Sequence, residues 1–352
     1  MSVDIHIFNP ETDYALAAGR RVYNPPRQIA EFRKRMALFP ATYARPGDWI
    51  AVDDDVTDFH PAHLALVKAK KLTVIPISSL ANHSSPLTPD YKPPLTPNSS
   101  LLTIKSSPRI SPWGWNHTLR LQLLKAGVSE GLLKTDGEID TLRSLSHRRT
   151  SAEIQLRLRD LLPDLQVDVA QEFFSVGEAL AFLENQPISA NGRHTAYFKL
   201  PWSSSGRGVV KADDFPVAKM EQWISGGIRR QGSVTGERAF DRACDFATEW
   251  DIHDGRASFL GLSVFRTSAE GRYEGNLVKP QDILWEKIAS HCPQWSQKVI
   301  DAQKSALEEV VAGGYSGPAG IDMLATSDGS LVPCVEVNLR QTMGRAALLS
   351  IQ

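Results

Sequence analysis

At 352 residues the chain is long enough for two or three domains. Hydrophobic residues make up 42% and charged residues 22%, ordinary values for a globular protein, and 39 Lys plus Arg against 40 Asp plus Glu leave a net charge of −1, which excludes the basic footprint that nucleic acid demands. No apolar run approaches the ~20 residues that cross a bilayer, and the opening MSVDIHIFNP has neither the basic nor the apolar part of a signal peptide. The expectation is a cytoplasmic protein without a nucleic-acid or membrane partner.

The first hundred residues alternate strand and helix signals. VDIHIF (3–8), DWIAVDD (48–54) and KLTVIPI (71–77) have β-rich patterns, with helical stretches at 27–39 and 60–70 between them. Strands separated by helices predict a small parallel, doubly wound α/β domain, whose ligands bind beyond the carboxyl ends of the strands. NPETDYALA (9–17) follows the first strand directly, so Asn9, Glu11 and Asp13 either face a substrate or, for Asp13, cap a helix. His60 and His63 have a metal-like spacing but no third ligand nearby in sequence, and read as part of a polar loop. From 76 to 113 the chain carries eight of its 22 prolines and reads as a long irregular connection. HTLRLQLLKAG (117–127) is helical, with Gly127 as its stop.

A second α/β region follows. Capping boxes are read at TSAE (150–153) and SVGE (175–178), with strands at VAQEFF (169–174) and TAYFKL (195–200) and a helix at VAKMEQWISGG (217–227). The last of these strands carries Lys199 and leads into WSSSGRGVV. The backbone amides of Ser203, Ser204, Ser205, Gly206 and Gly208 could converge on an anion, with Lys199 supplying positive charge; a polar hairpin is the alternative. The three cysteines, Cys244, Cys292 and Cys334, are odd in number and far apart, so neither a disulfide framework nor a zinc pattern is expected.

Near the end, GPAGIDMLATSDGSLVPCVEVNLRQTMG predicts two strands around TSDGS. They carry Asp322, Glu336, Asn338 and Arg340, polar groups that buried strands rarely bear without partners. Hard oxygen donors in this arrangement suit Mg²⁺. A two-residue turn at Asp328-Gly329 would direct Asp322 away from Glu336 and Asn338. A three-residue loop, Ser327-Asp328-Gly329 with Gly329 left-handed, would put all four on one face.

With these segments in this order, residues from about 145 to the end resemble the ATP-grasp superfamily. The resemblance implies a fold of class α/β (α+β): an N-terminal Rossmann-like domain (1–110, with its Pro-rich connection) and an ATP-grasp domain (111–352), divided into a lid (about 145–235) and a metal-binding part (about 236–352). FKLPWSSSGRGVV resembles the lysine strand and the loop that folds over the triphosphate, and IDML…CVEVNLR the metal strands, with Asp322, Glu336 and Asn338 as ligands of Mg²⁺ or Mn²⁺. LSHRRTSAEI is similar to the segment with an early basic residue, Arg148 or Arg149 here. TGERAFDRACDFATEW resembles the nucleotide hinge, with Glu237 near adenine and Asp245 near ribose. The implied activity is an ATP- and Mg²⁺-dependent ligase. It would activate a small-molecule carboxylate as an acylphosphate for attack by an amine or thiol, with Lys199 and Arg340 as the catalytic cations. A small-molecule kinase and a non-catalytic ATP-binding module are the alternatives.

Overall fold

The computed structural model describes residues 3–80, 108–203, 208–268 and 273–351, and the chain divides into two compact units, 1–140 with 349–352 and 141–348. The division falls between Asp140 and Thr141, where the sequence reading places its first boundary at 110. No helix of the described residues is long and apolar enough to cross a membrane.

The first unit runs β1 (Asp4–Ile7), α1 (Thr12–Ala18), α2 (Arg27–Arg35), β2 (Trp49–Val52), α3 (Pro61–Ala69), β3 (Thr73–Pro76), β4 (Arg109–Pro112), α4 (His117–Lys125) and the start of α5 (Asp136–Leu145). The four strands form a wholly parallel sheet in the order β3-β2-β1-β4. Apolar side chains cover both faces, Ile5, Ile7, Ala51 and Ile75 with Leu119 and Leu123 on one, and Ile50, Val52 and Val74 with Leu38 and Val67 on the other, as a parallel sheet requires. Gly127, at φ +80°, ends α4 as expected. Asp13 lies inside α1 and does not cap it: Glu11 is the N-cap residue, with no side-chain cap bond. His60 and His63 stack 4.8 Å apart, and His63 packs edge-on against Phe39. The metal-like group in this unit is instead Asp4, His6 and Asp48. There both Asp4 oxygens accept from Arg109 at 2.8 Å, Arg45 joins at 2.9 Å, and Asp48 accepts from the Asp4 and Arg45 backbone amides, so the acids already have their cations and donors.

The second unit contains α6 (Arg149–Leu161), β5 (Gln171–Phe173), α7 (Val176–Glu184), β6 (Ala196–Lys199), β7 (Val209–Lys211), α8 (Val217–Gln231), β8 (Val234–Arg238), β9 (Arg242–His253), β10 (Arg256–Thr267), β11 (Tyr273–Leu277), α9 (Gln281–His291), α10 (Gln297–Val310), β12 (Gly317–Thr326), β13 (Leu331–Asn338) and α11 (Met343–Leu349). Two antiparallel sheets result, β5-β8-β6-β7 and β11-β10-β9-β12-β13. The smaller packs Phe173, Phe198 and Val234 against Ala179 of α7 and Met220 and Ile224 of α8. Ser175 caps α7 in a full capping box with Glu178. The box read at Thr150 is not formed. Helix α6 begins before it, Thr150 lies inside the first turn, and the amide of Arg149 donates instead to His147 Nδ1 at 3.1 Å. Burial above all pushes the His147 imidazolium down to about 4, leaving a neutral ring that can accept that bond.

The larger sheet has two unlike faces. Phe246, Thr248 and Trp250 of β9, with Ile321 and Met323 of β12, lie on the face where Thr248 meets Gln303 of α10 at 2.9 Å. The opposite face carries Asp245, Glu249, Asp322, Glu336 and Asn338. Thr326 and Ser330 close the β12–β13 hairpin around Ser327-Asp328-Gly329, with Gly329 at φ +83°, so the loop is the three-residue one. A bulge adds to it: Leu324 pairs with Val332 but Asp322 with Glu336, so residues 333–335 stand against Met323 alone. Pro333 has no amide to give to the ladder. Its carbonyl accepts from Gln303 at 2.8 Å and that of Cys334 from Gln155 of α6 at 2.9 Å, while the Val337 amide donates to Ser151 Oγ at 3.0 Å.

Gln155 is buried, and its Oε1 also accepts from the Ala170 amide at 2.8 Å, so one side chain satisfies two backbone groups. Gln155→Leu strands both, at about 1–3 kcal/mol each. Calorimetry is expected to show Tm falling by about 5 °C or more; a fall under about 1 °C would mean that the β13 edge is held by other contacts.

Candidate functional site

Four separated segments of the second unit contribute charged and polar side chains that pair with one another. From the start of α6 comes Arg148, only 6% exposed. Its Nε donates to the Leu200 carbonyl at 2.9 Å, Nη2 to Ser203 Oγ at 2.8 Å, and Nη1 pairs with Glu336 Oε2 at 2.9 Å. Arg149 points elsewhere, to Glu172 at 3.0 Å on the surface, so of the two candidate early basic residues the structure joins Arg148 to the site. From β6 comes Lys199, 5% exposed and ion-paired with Glu237 of β8. From β12 and β13 come Asp322, Glu336 and Asn338, and just beyond them Arg340.

These side chains form a chain of contacts. Asn338 Nδ2 donates to Asp322 Oδ2 at 3.1 Å, and Arg340 Nη2 donates to Asn338 Oδ1 at 3.0 Å. The two carboxylates titrate in opposite directions. Burial pushes Glu336 up, but Arg148 and Lys199 outweigh it and hold the carboxyl below its ordinary value. Asp322 lacks such a partner; burial, then the charges of Glu336 and Glu249, push it up to about 7 against the pull of Arg340 and Asn338.

Beside the acids lies a cleft lined by Tyr197, Glu237, Arg238 and Phe240 and by Leu324 and Val335 of the hairpin, among others. Its lining combines aromatic and aliphatic side chains with two acids, Glu237 and Asp168, and two cations, Arg238 and Arg242. Asp245 does not line this cleft: Thr267 Oγ1 donates to it at 2.6 Å and Arg242 at 3.3 Å, on the same sheet face. Of the small-residue loop, Ser203 meets Arg148, and Gly208 adopts φ +76° with its carbonyl accepting from Leu200 at 2.8 Å. Ser204, Ser205 and Gly206 lie outside the described residues.

Sequence reasoning missed Glu249, which is 1% exposed on the central strand β9. It accepts from Ser263 Oγ at 2.9 Å and Thr342 Oγ1 at 2.7 Å, and burial raises its pKa. A Cβ on Gly344 would stand 2.1 Å from its Oε1, so glycine is required where α11 crosses it. Thr342 in turn accepts from the Arg345 amide, tying the turn that carries Arg340 to the middle of the sheet. The signal was available: a carboxylate in the otherwise apolar run FATEW is the same anomaly that singled out Asp322.

The donor set fits a hard divalent cation. Two carboxylates and a carboxamide share one face of neighbouring strands, and burial first, then the charge of Glu336, raises Asp322.

No protein-family model matches the chain and no curated protein matches its sequence. Solved structures do match. Biotin carboxylase of Campylobacter jejuni aligns over 98% of this chain and 67% of its own, at 11% identity and a TM-score of 0.52. The biotin carboxylase domain of Hydrogenobacter thermophilus 2-oxoglutarate carboxylase, solved with MgADP, ADP and bicarbonate, aligns over 100% and 69%, at 13% and 0.51. Phosphoribosylamine–glycine ligase of Thermotoga maritima aligns over 98% and 71%, at 11% and 0.50. All three are ATP-grasp structures, and the chain described here has the ATP-grasp fold.

Proposed function

We propose that the protein is an ATP- and Mg²⁺-dependent ligase that activates a small-molecule carboxylate as an acylphosphate for attack by an amine or thiol. The observation that carries this reading is the pairing of charged side chains from four chain segments, Arg148 with Glu336, Lys199 with Glu237, and Arg340 with Asn338 and Asp322. The ATP-grasp fold and the MgADP bound to the Hydrogenobacter domain support it.

In this reading the base enters between Tyr197 and the hairpin wall, near Glu237. Lys199 and Arg148 are paired with Glu237 and Glu336, and a triphosphate competes for both cations through stronger charge-assisted bonds. Ser203, Ser204, Ser205, Gly206 and Gly208 would cover the phosphates. Release from Arg148 frees Glu336 to join Asp322 and Asn338 in holding Mg²⁺ (or Mn²⁺). The metal would neutralise charge on the transferred phosphoryl group. Arg340, held by Asn338 and by the Gln341 carbonyl at 3.1 Å, then orients the acylphosphate and stabilises the oxyanion that forms on nucleophilic attack. No covalent enzyme intermediate is needed; the residues position and neutralise.

The direct test is ADP release measured across a panel of carboxylates, each with a pool of amines. An amide plus free phosphate supports the ligase, whereas a stable phosphomonoester makes the protein a kinase.

Asp322 gives the pH dependence its sign. Its pKa of about 7 in the folded protein lies above the usual carboxylate value, so the folded state binds the extra proton and loses stability as pH rises toward 7. Mg²⁺ needs the ionised form, so calorimetry should show Mg²⁺ affinity weakening as pH falls below about 7. Asp322→Asn is expected to lose Mg²⁺ binding and, at pH 8 without metal, to raise Tm by about 2–4 °C. A lowered Tm together with unchanged Mg²⁺ binding would remove Asp322 from the metal site.

Arg340→Ala should leave ATP affinity nearly unchanged while kcat falls about 10²-fold or more, as on loss of one oxyanion donor. Arg340→Lys should not restore it, because an ammonium cannot reproduce the planar fork. A purely structural arginine predicts a lower Tm with turnover intact.

A further inference from the structure

In the second unit, groups assigned to metal and base are bonded to the cations assigned to phosphoryl groups. Glu336 Oε2 pairs with Arg148 Nη1 at 2.9 Å, Asn338 Oδ1 accepts from Arg340 Nη2 at 3.0 Å, and Glu237 pairs with Lys199. The Arg148 pair is the one that bears on the metal ligands directly. Its backbone amide donates to the Pro201 carbonyl at 3.1 Å, its Nε to the Leu200 carbonyl at 2.9 Å and its Nη2 to Ser203 Oγ at 2.8 Å. The chain that follows β6 therefore aims the guanidinium, and Nη1 is the arm directed at Glu336.

Glu336 is open to solutes, with its side chain 26% exposed against 6% for Arg148. Asp322 stands directly opposite it on β12, and Asn338 Nδ2 donates to Asp322 Oδ2 at 3.1 Å. A divalent cation that reaches this set must share the Glu336 carboxylate with the guanidinium or displace it. Sharing sets two cations on one carboxylate. Displacement leaves Arg148 buried without its counter-charge, and an unpaired buried charge is costly. A phosphate changes that balance, because its oxygens offer the guanidinium a charge-assisted fork in place of Glu336.

We propose that Arg148 is a specificity-determining residue of this site: guanidinium and divalent cation compete for Glu336, and phosphate draws the guanidinium away. The protein then selects a metal–nucleotide complex over free metal and over metal-free nucleotide. This selectivity rests on the nucleotide site proposed above and adds to it a direct antagonism between Arg148 and the metal.

The test is a double-mutant cycle on the full chain, read by titration calorimetry at pH 8 with Mn²⁺ alone and with ADP in EDTA as separate probes. Arg148→Met should bind Mn²⁺ about 10-fold more tightly than wild type and ADP about 10-fold more weakly. Glu336→Gln, close in shape, should bind metal-free ADP about 5-fold more tightly than wild type, because only a neutral amide then holds the guanidinium. That arm decides the matter if Arg148→Met folds poorly. The Mn²⁺ gain from Arg148→Met should be absent in the Glu336→Gln background, as a pairwise competition requires. Unchanged metal-free ADP affinity in Glu336→Gln, or a Mn²⁺ gain that persists without Glu336, overturns the proposal while ADP binding by the wild type leaves the nucleotide site standing. A wild type that binds no ADP overturns both.

Discussion

The chemistry proposed for the second unit depends on keeping two carboxylates side by side, Asp322 on β12 directly opposite Glu336 on β13. Like charges across a strand pair repel, and burial makes the repulsion worse. The surrounding structure has to impose the arrangement. The three-residue turn with left-handed Gly329 sets the parity, and the bulge at 333–335 keeps it while moving Glu336 into line. Gln155, Ser151 and Gln303 then satisfy the backbone groups that the bulge and the sheet edge release. Arg148 neutralises one acid; the other is left with a raised pKa and a need for a cation. A site that is electrostatically unsatisfied inside a well-satisfied scaffold is the expected signature of a binding centre.

The same contrast separates Asp322 from the other buried acids. Asp4 and Asp48 are buried, clustered with a histidine and spaced like metal ligands, yet arginines and amides meet their oxygens. Glu249 is more deeply buried still, and two hydroxyls hold it in place beneath Gly344. Asp322 differs: burial, then the charges of Glu336 and Glu249, outweigh the pull of Arg340 and Asn338 and raise it to about 7.

Much of this was legible in the residues because periodicity and turn chemistry are local. The parallel strands of the first unit, the Ser175 capping box and the face shared by Asp322, Glu336 and Asn338 all follow from short patterns. What was not legible depends on partners distant in the chain. Thr150 looks like a cap, but His147 supplies an acceptor two residues before α6, so the helix starts earlier. Nothing local to Gln155 reveals that it braces a strand about 180 residues later. Arg148 and Arg149 are equivalent in sequence, and only the fold directs one to Glu336 and the other to Glu172. Asp245 lies on the correct face, yet Thr267, from the neighbouring strand, engages it away from the cleft.

The central claim is that these converging charges form a metal–nucleotide site. Isothermal titration of ATP into the full chain, with and without Mg²⁺, tests it most directly. The account predicts saturable binding at one site per chain with Mg²⁺ and clearly weaker binding without it. Equal affinity in both conditions, or no binding in either, would contradict it.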